Sequence, residues 1–369
     1  MSHEIDHEVP RRAAVGGGTA GGVTSKDLIT ELWYTRCPVP TTSGIAQHFR
    51  WLQDEFARQG IDLKSIRAAE DKAVRVSHFD HSHPGMFREG GNVPPIWARA
   101  GGRNTAVVGI TWVDEEQLIL VRPDSDIRNL SGLKGRRLGV PRHATQLVDV
   151  GRAQDLRGLL TALKLAQLER DQVLWVDIAG AEYDLRELNA DRARRRSVTA
   201  DALLAGEVDA IYAKGAVSAS LIEEHGLRPI FDINAHHDPL ARVNAGTPRP
   251  ITVDRALALE QPELVARYLA VLLRTAQWAA QHPAEVVDAV AAETGAQTQA
   301  VRRGFGPDLH KQFTPALSAQ YLKGLAAQKA FLLQEGFLPR DFDFDAWIVR
   351  EPLELAQQLL REIELSRAA

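Results

Sequence analysis

The chain of 369 residues has one cysteine, two methionines, 6% aromatic residues and no long apolar run. A single thiol can neither close an intramolecular disulfide nor furnish a multi-thiolate zinc or iron–sulfur site, so the fold must rest on packing. No stretch approaches the roughly 20 apolar residues that span a bilayer, and no membrane partner is expected. The 44 basic residues are scattered and the net charge is −4. That leaves no polyphosphate footprint, so no nucleic-acid partner is expected. The densest basic string, Arg192 with Arg194 to Arg196, stands beside Asp191 and Asp201 and reads as a solvated face.

What remains is an ordinary globular composition, 44% hydrophobic and 25% charged, long enough for two core-forming units. Residues 1–26 read as a flexible tail, because charges, Pro10 and clustered glycines cannot offset the entropy of ordering. Gly16, Gly18 and Gly21 spell G-x-G-x-x-G without the flanking strand and helix that a nucleotide site requires. The tail lacks the apolar stretch of a secretory signal, so the expected compartment is the cytoplasm, where a thiol stays reduced.

From Leu28 to Tyr34 an apolar stretch predicts a strand, which Pro38 and Pro40 must end. Ile45, Phe49, Leu52 and Phe56 recur at helical spacing up to Gly60, predicting one helix with a glycine stop. A strand begins at Ile61 and Leu63, and the string from Ser77 to Pro84 reads as a histidine-rich loop. Further strands are expected near 106–112, 117–122, 138–140, 173–178 and 208–212, with a helix over about 158–168 and mainly helices after Ile251. Such alternation predicts an α/β fold with parallel sheets covered by helices, and puts Cys37 at a strand-to-helix turn.

A reactive thiol needs a route to the thiolate, a proton partner and a positively polarised seat for charged oxygens. Cys37 precedes a helix whose dipole could favour the thiolate, although a free cysteine also packs well in a core. His78 offers the proton partner. His78, His81 and His83 together could instead ligate a metal, or the last two could be solvated loop residues. Arg88 can grip an oxyanion bidentately or lie on the surface, and Gly90 and Gly91 let backbone amides approach a ligand closely.

The strings Tyr34-Thr35-Arg36-Cys37-Pro38-Val39-Pro40, Ser77-His78-Phe79 and Phe87-Arg88-Glu89-Gly90-Gly91-Asn92-Val93-Pro94-Pro95 resemble, in order and approximate spacing, segments of the 2'-hydroxybiphenyl-2-sulfinate desulfinases. Weaker similarity runs through Leu133 to Val140, Gly206 to Tyr212 and Gly304 to Gly306 toward Trp347. The resemblance implies a two-lobed, periplasmic-binding-protein-like (type II) fold with a ligand cleft between the lobes. Lobe one would comprise 27–125 and 240–369, and lobe two 126–239. It implies Cys37 as catalytic thiol, His78 as its proton partner, Arg88 as sulfinate anchor and Gly91 as an amide donor, with Gly90, Phe79, His81 and His83 also lining the substrate. The implied activity is cofactor-independent and metal-free cleavage of an aryl sulfinate to sulfite by a monomer. His81 and His83 replace a tyrosine and a glutamine of the family, which implies a smaller or more polar aryl group. The alternative is a non-catalytic solute-binding protein for sulfonates or aromatic acids, because the Leu-Lys-Gly and Gly-Glu-Val-Asp-Ala strings are shared with such proteins.

Overall fold

The computed structural model describes residues 29–144, 147–180 and 197–368. The expected tail, its glycine string and the string Arg192 to Arg196 lie outside the described residues. Strand β1 (Glu31–Arg36) pairs in parallel with β2 (Asp62–Ser65) on one side and β3 (Met86–Glu89) on the other. Strand β4 (Thr105–Thr111) is buried along its whole length and completes the sheet through β10 (Arg249–Asp254), which runs antiparallel to both β3 and β4. The order is β2-β1-β3-β10-β4.

A second group holds β5 (Gln117–Val121) antiparallel to β8 (Ile211–Lys214) and β9 (Arg228–Asp232). Beside them β6 (Arg137–Arg142) pairs in parallel with β7 (Leu174–Ala179) and bridges toward β8 at Leu138 and Ala210. The chain crosses between the groups twice, through 112–116 and through 233–248. The result is a two-lobed arrangement of mixed sheets. The parallel expectation fails at β5 and β10, because strands that follow a crossing return in the opposite sense, a direction no local apolar pattern encodes.

The helices depart from expectation at two informative places. The helix expected through Phe56 is broken into α1 (Thr42–His48) and α2 (Trp51–Ala57) by Arg50, whose φ of 62° is left-handed. The histidine-rich string is a loop only from His81 to Pro84: Ser77 to Asp80 end helix α3 (Lys72–Asp80), capped by Asp71 at its start and by left-handed His81 at its end. Its buried positions are Arg75, Ser77 and His78, so it carries no apolar stripe for a periodicity argument to detect. Helix α4 (Val93–Ala100) opens with prolines in its first turn, and α5 (Val150–Leu165) starts earlier than the apolar spacing suggested because Asp149 caps it.

The edge strand β4 is covered by later chain. Ile110 exchanges backbone hydrogen bonds with Ala316, and the Val349 amide donates to the Val107 carbonyl at 3.0 Å. Fully buried Trp347 donates its indole N–H to Thr105 Oγ1 at 3.0 Å, locking that cover to β4. No helix among the described residues is long and apolar enough to cross a membrane. Replacing Trp347 by Ala should cost about 3–5 kcal/mol, the range for emptying a large core site, read as a lowered urea midpoint; an unchanged midpoint would show that the cover is dispensable.

Candidate active site

Parallel pairing of β1 with β3 sets Thr35 opposite Arg88 and Arg36 opposite Glu89, so Cys37 emerges at the carboxyl ends of the two strands beside Gly90. The Cys37 amide continues the ladder by donating to the Glu89 carbonyl at 3.2 Å. Gly90 has φ of 149°, and a Cβ there would sit 2.6 Å from Cys37 Sγ. Only glycine fits this contact.

Two side chains meet the half-buried thiol. His78 Nε2 lies 3.7 Å from Cys37 Sγ, and its Nδ1 shares a hydrogen bond of 2.7 Å with Thr35 Oγ1. Fully buried Arg88 donates from Nη2 to Sγ at 3.3 Å, from Nε to the His78 carbonyl at 3.0 Å and from Nη1 to the Gly91 carbonyl at 2.9 Å. Burial, reinforced by the positive charges of Arg88 and Arg67 and by His81, holds the His78 imidazole well below its usual range, so it is neutral near pH 7. In the tautomer that donates Nδ1–H to Thr35, Nε2 presents a lone pair to the thiol.

The helix dipole is not the source of positive charge at the sulfur. Helix α1 begins at Thr42, and its leading amides are engaged: Thr42 and Ser43 donate to the Glu89 carboxylate, and Gly44 to Thr41 Oγ1. The Arg88 guanidinium fills that role instead. Besides Arg88, Arg67 donates to Glu293 Oε1 at 2.6 Å and reaches the Arg36 carbonyl at 3.5 Å, while Arg36 pairs with Glu293 Oε2. These charged residues inside strand or turn patterns, like Glu89 within the β3 string, were the overlooked sequence signal.

The remaining candidates divide. Phe79 packs edge-on against the His78 ring, with centroids 5.0 Å apart. His81 is buried behind the site, with Nε2 3.0 Å from Thr252 Oγ1 and Nδ1 without a hydrogen-bond partner. Burial, Arg88 and Arg103 push its pKa down to about 3. His83 turns away to the middle of β1, its ring 4.6 Å from Trp33, four residues before Cys37. The three imidazoles therefore face different partners, and no group of three potential metal ligands occurs among the described residues. Gly91 sits against the second crossing, where the Asn92 amide donates to the Ala245 carbonyl at 2.9 Å.

A binding-protein-like fold thus carries, at the strand ends facing the crossings, a thiol flanked by a neutral imidazole and a buried guanidinium. No family model matches the chain. Over 355 residues it is 29% identical to the 2'-hydroxybiphenyl-2-sulfinate desulfinase of Rhodococcus erythropolis, spanning 87% of this chain and 92% of that enzyme. The same enzyme of Rhodococcus qingshengii aligns to the same extent. The crystal structure of a cysteine-to-serine variant of the desulfurization enzyme DszB in complex with biphenyl-2-sulfinic acid superposes with a TM-score of 0.71. It is 28% identical and covers 89% of this chain and 99% of that one. The aliphatic sulphonate-binding protein SsuA of Escherichia coli matches with a TM-score of 0.61 at 15% identity, covering 87% and 92% of the two chains, which is a likeness of fold alone. The resemblance first visible in three short strings extends along most of the chain.

The depressed imidazoles make stability depend on pH. Below about pH 6.5 the unfolded chain takes up protons that His78 and His81 refuse in the fold, so their contribution to stability falls as pH drops toward about 3, the folded value of His81, against a smaller opposite contribution from buried Asp155, whose pKa is raised to about 7. Urea unfolding at about pH 7.5 and pH 5 should show this loss, and His81→Gln should shrink it; an equal loss in that variant would sink the assignment.

Proposed function

We propose that the chain is a desulfinase that cleaves the carbon–sulfur bond of an aromatic sulfinate, 2'-hydroxybiphenyl-2-sulfinate or a related aryl sulfinate, and releases sulfite without a cofactor. The observation that carries this reading is the contact of Cys37 Sγ with both His78 Nε2 and Arg88 Nη2, in a fold shared with an enzyme crystallised with biphenyl-2-sulfinic acid. A solute-binding protein needs donors for an anion but has no use for a thiol packed between an imidazole and a guanidinium. The binding reading is the weaker one.

In the mechanism, the sulfinate oxygens take hydrogen bonds from Arg88 and from the Gly91 amide, while Arg88 also holds the Gly91 carbonyl and so limits the freedom of that residue. Two balanced routes use the same groups. In the first, His78 Nε2 accepts the Cys37 proton and the thiolate attacks sulfinate sulfur. The sulfur–carbon bond breaks, its electron pair stays on the ring carbon, and His78 returns the proton there. The resulting cysteinyl–SO2 anion is hydrolysed by one water to thiol and hydrogen sulfite. In the second, the Cys37 thiol protonates the ring carbon, sulfur dioxide leaves, water converts it to hydrogen sulfite with release of a proton, and His78 helps restore the thiol. Classification as a carbon–sulfur hydrolase follows on either route.

The test is sulfite release from an aryl sulfinate. Cys37→Ser should abolish it, and Arg88→Met should lower kcat/KM by about 100-fold or more, the scale for a lost oxyanion donor. Wild-type release no faster than that of Cys37→Ser would refute the proposal. Mass spectrometry of the acid-quenched reaction separates the routes, since only the first leaves an SO2 adduct on Cys37.

A further inference from the structure

Arg249, at the start of β10, is one of the largest fully buried side chains. Its Nη1 donates to the Pro40 carbonyl at 2.7 Å, closing the turn Cys37-Pro38-Val39-Pro40 from the far side, while Nε and Nη2 have no hydrogen-bond partner. The nearest carboxylate, Glu115 on the first crossing, stands 3.8 Å from Nη2 and is itself paired with Lys214 at 2.6 Å. Glu89, the next, is occupied by two α1 amides and by Thr111 Oγ1. A buried guanidinium so weakly compensated costs stability unless a further negative charge shares its surroundings. Cys37 is among the groups whose charge Arg249 feels, after Glu115 and Glu89.

We propose that Arg249 is a positioning and specificity-determining residue: it fixes the Cys37–Pro40 turn through the Pro40 carbonyl and supplies, in addition to Arg88, a second buried positive charge that favours anionic reactants at Cys37. This rests on the desulfinase reading in taking Cys37 as the reacting group. The charged surroundings fit it. Arg88 and Glu89 come from β3, Arg67 from the turn after β2, Arg36 from β1 and Glu293 from the helix 283–294. Arg249, Glu115 and Lys214 complete the set, and Asp114 is paired with Arg242. Five cations face three carboxylates, with His78 neutral. The excess is two positive charges, which favours a monoanionic sulfinate beside Cys37.

The single cysteine allows a direct test. At one pH and ionic strength, alkylation of the full chain by anionic iodoacetate is compared with alkylation by neutral iodoacetamide, two reagents of similar size attacked by the same sulfur. Arg249→Met should lower the iodoacetate-to-iodoacetamide rate ratio about threefold or more, the scale of one partly screened charge. Arg249→Lys should restore the ratio, and Glu115→Gln should raise it. Mere loosening of the turn changes both rates together, so an Arg249→Met ratio equal to wild type overturns the proposal. If Arg249→Met does not fold by circular dichroism, Glu115→Gln carries the test, and a ratio unmoved or lowered there overturns it. Sulfite release measured in parallel keeps the two readings apart: its absence in wild type defeats the desulfinase assignment, whereas the reagent ratio alone decides the role of Arg249.

Discussion

The site depends on one buried guanidinium. Arg88 uses three of its nitrogens on three separate segments: the sulfur after β1, the carbonyl of His78 near the end of α3, and the carbonyl of Gly91 after its own strand. A planar fork cannot satisfy these directions unless the segments stand in a fixed relation, so Arg88 acts as a gauge for the distance from thiol to imidazole. The sheet makes this possible, because the parallel register of β1 and β3 sets Cys37 and Gly90 side by side. Gly90 admits the sulfur, since any larger residue would occupy its volume.

Around that fork the protein concentrates charge where solvent is excluded. The cations are compensated unequally: Arg36 and Arg67 share Glu293, whereas Arg249 only leans toward Glu115. The carboxylates are tied down in turn by helix amides or by lysine. These buried charges are held by packing and hydrogen bonds, so on the proposed reading they stand in place before an anionic substrate arrives. They also explain why His78 stays neutral, since burial and neighbouring cations both disfavour its charged form.

The two crossings join this centre to the second lobe. Glu115 on one and Ala245 on the other touch the site's supporting residues: Glu115 meets Arg249 and Lys214, and Ala245 holds Asn92 and abuts Gly91. The supporting residues of the thiol site and the two crossings are thus one connected structure. Solute-binding proteins of the same fold share the frame, and the chemistry is added at the strand ends.

Much of the fold was legible in the chain itself. The apolar strand before Cys37, the glycine at 206 between helix and strand, and Pro262 at a helix start all follow from local physics, and the cysteine, histidine and arginine–glycine strings marked the site. What sequence could not supply were relations across distance. The sense of β5 and β10 depends on how crossings return. Helix α3 was hidden because its buried face is polar, satisfied by contacts made far along the chain. The separate fates of His78, His81 and His83, one at the thiol, one behind the arginine and one beside Trp33, are set by a left-handed residue and by neighbours on other strands. The sequence alone determined which chemical groups are present and in what order. Tertiary structure alone decided which of them meet, because burial, register and the directions of a guanidinium's hydrogen bonds exist only once distant segments are packed.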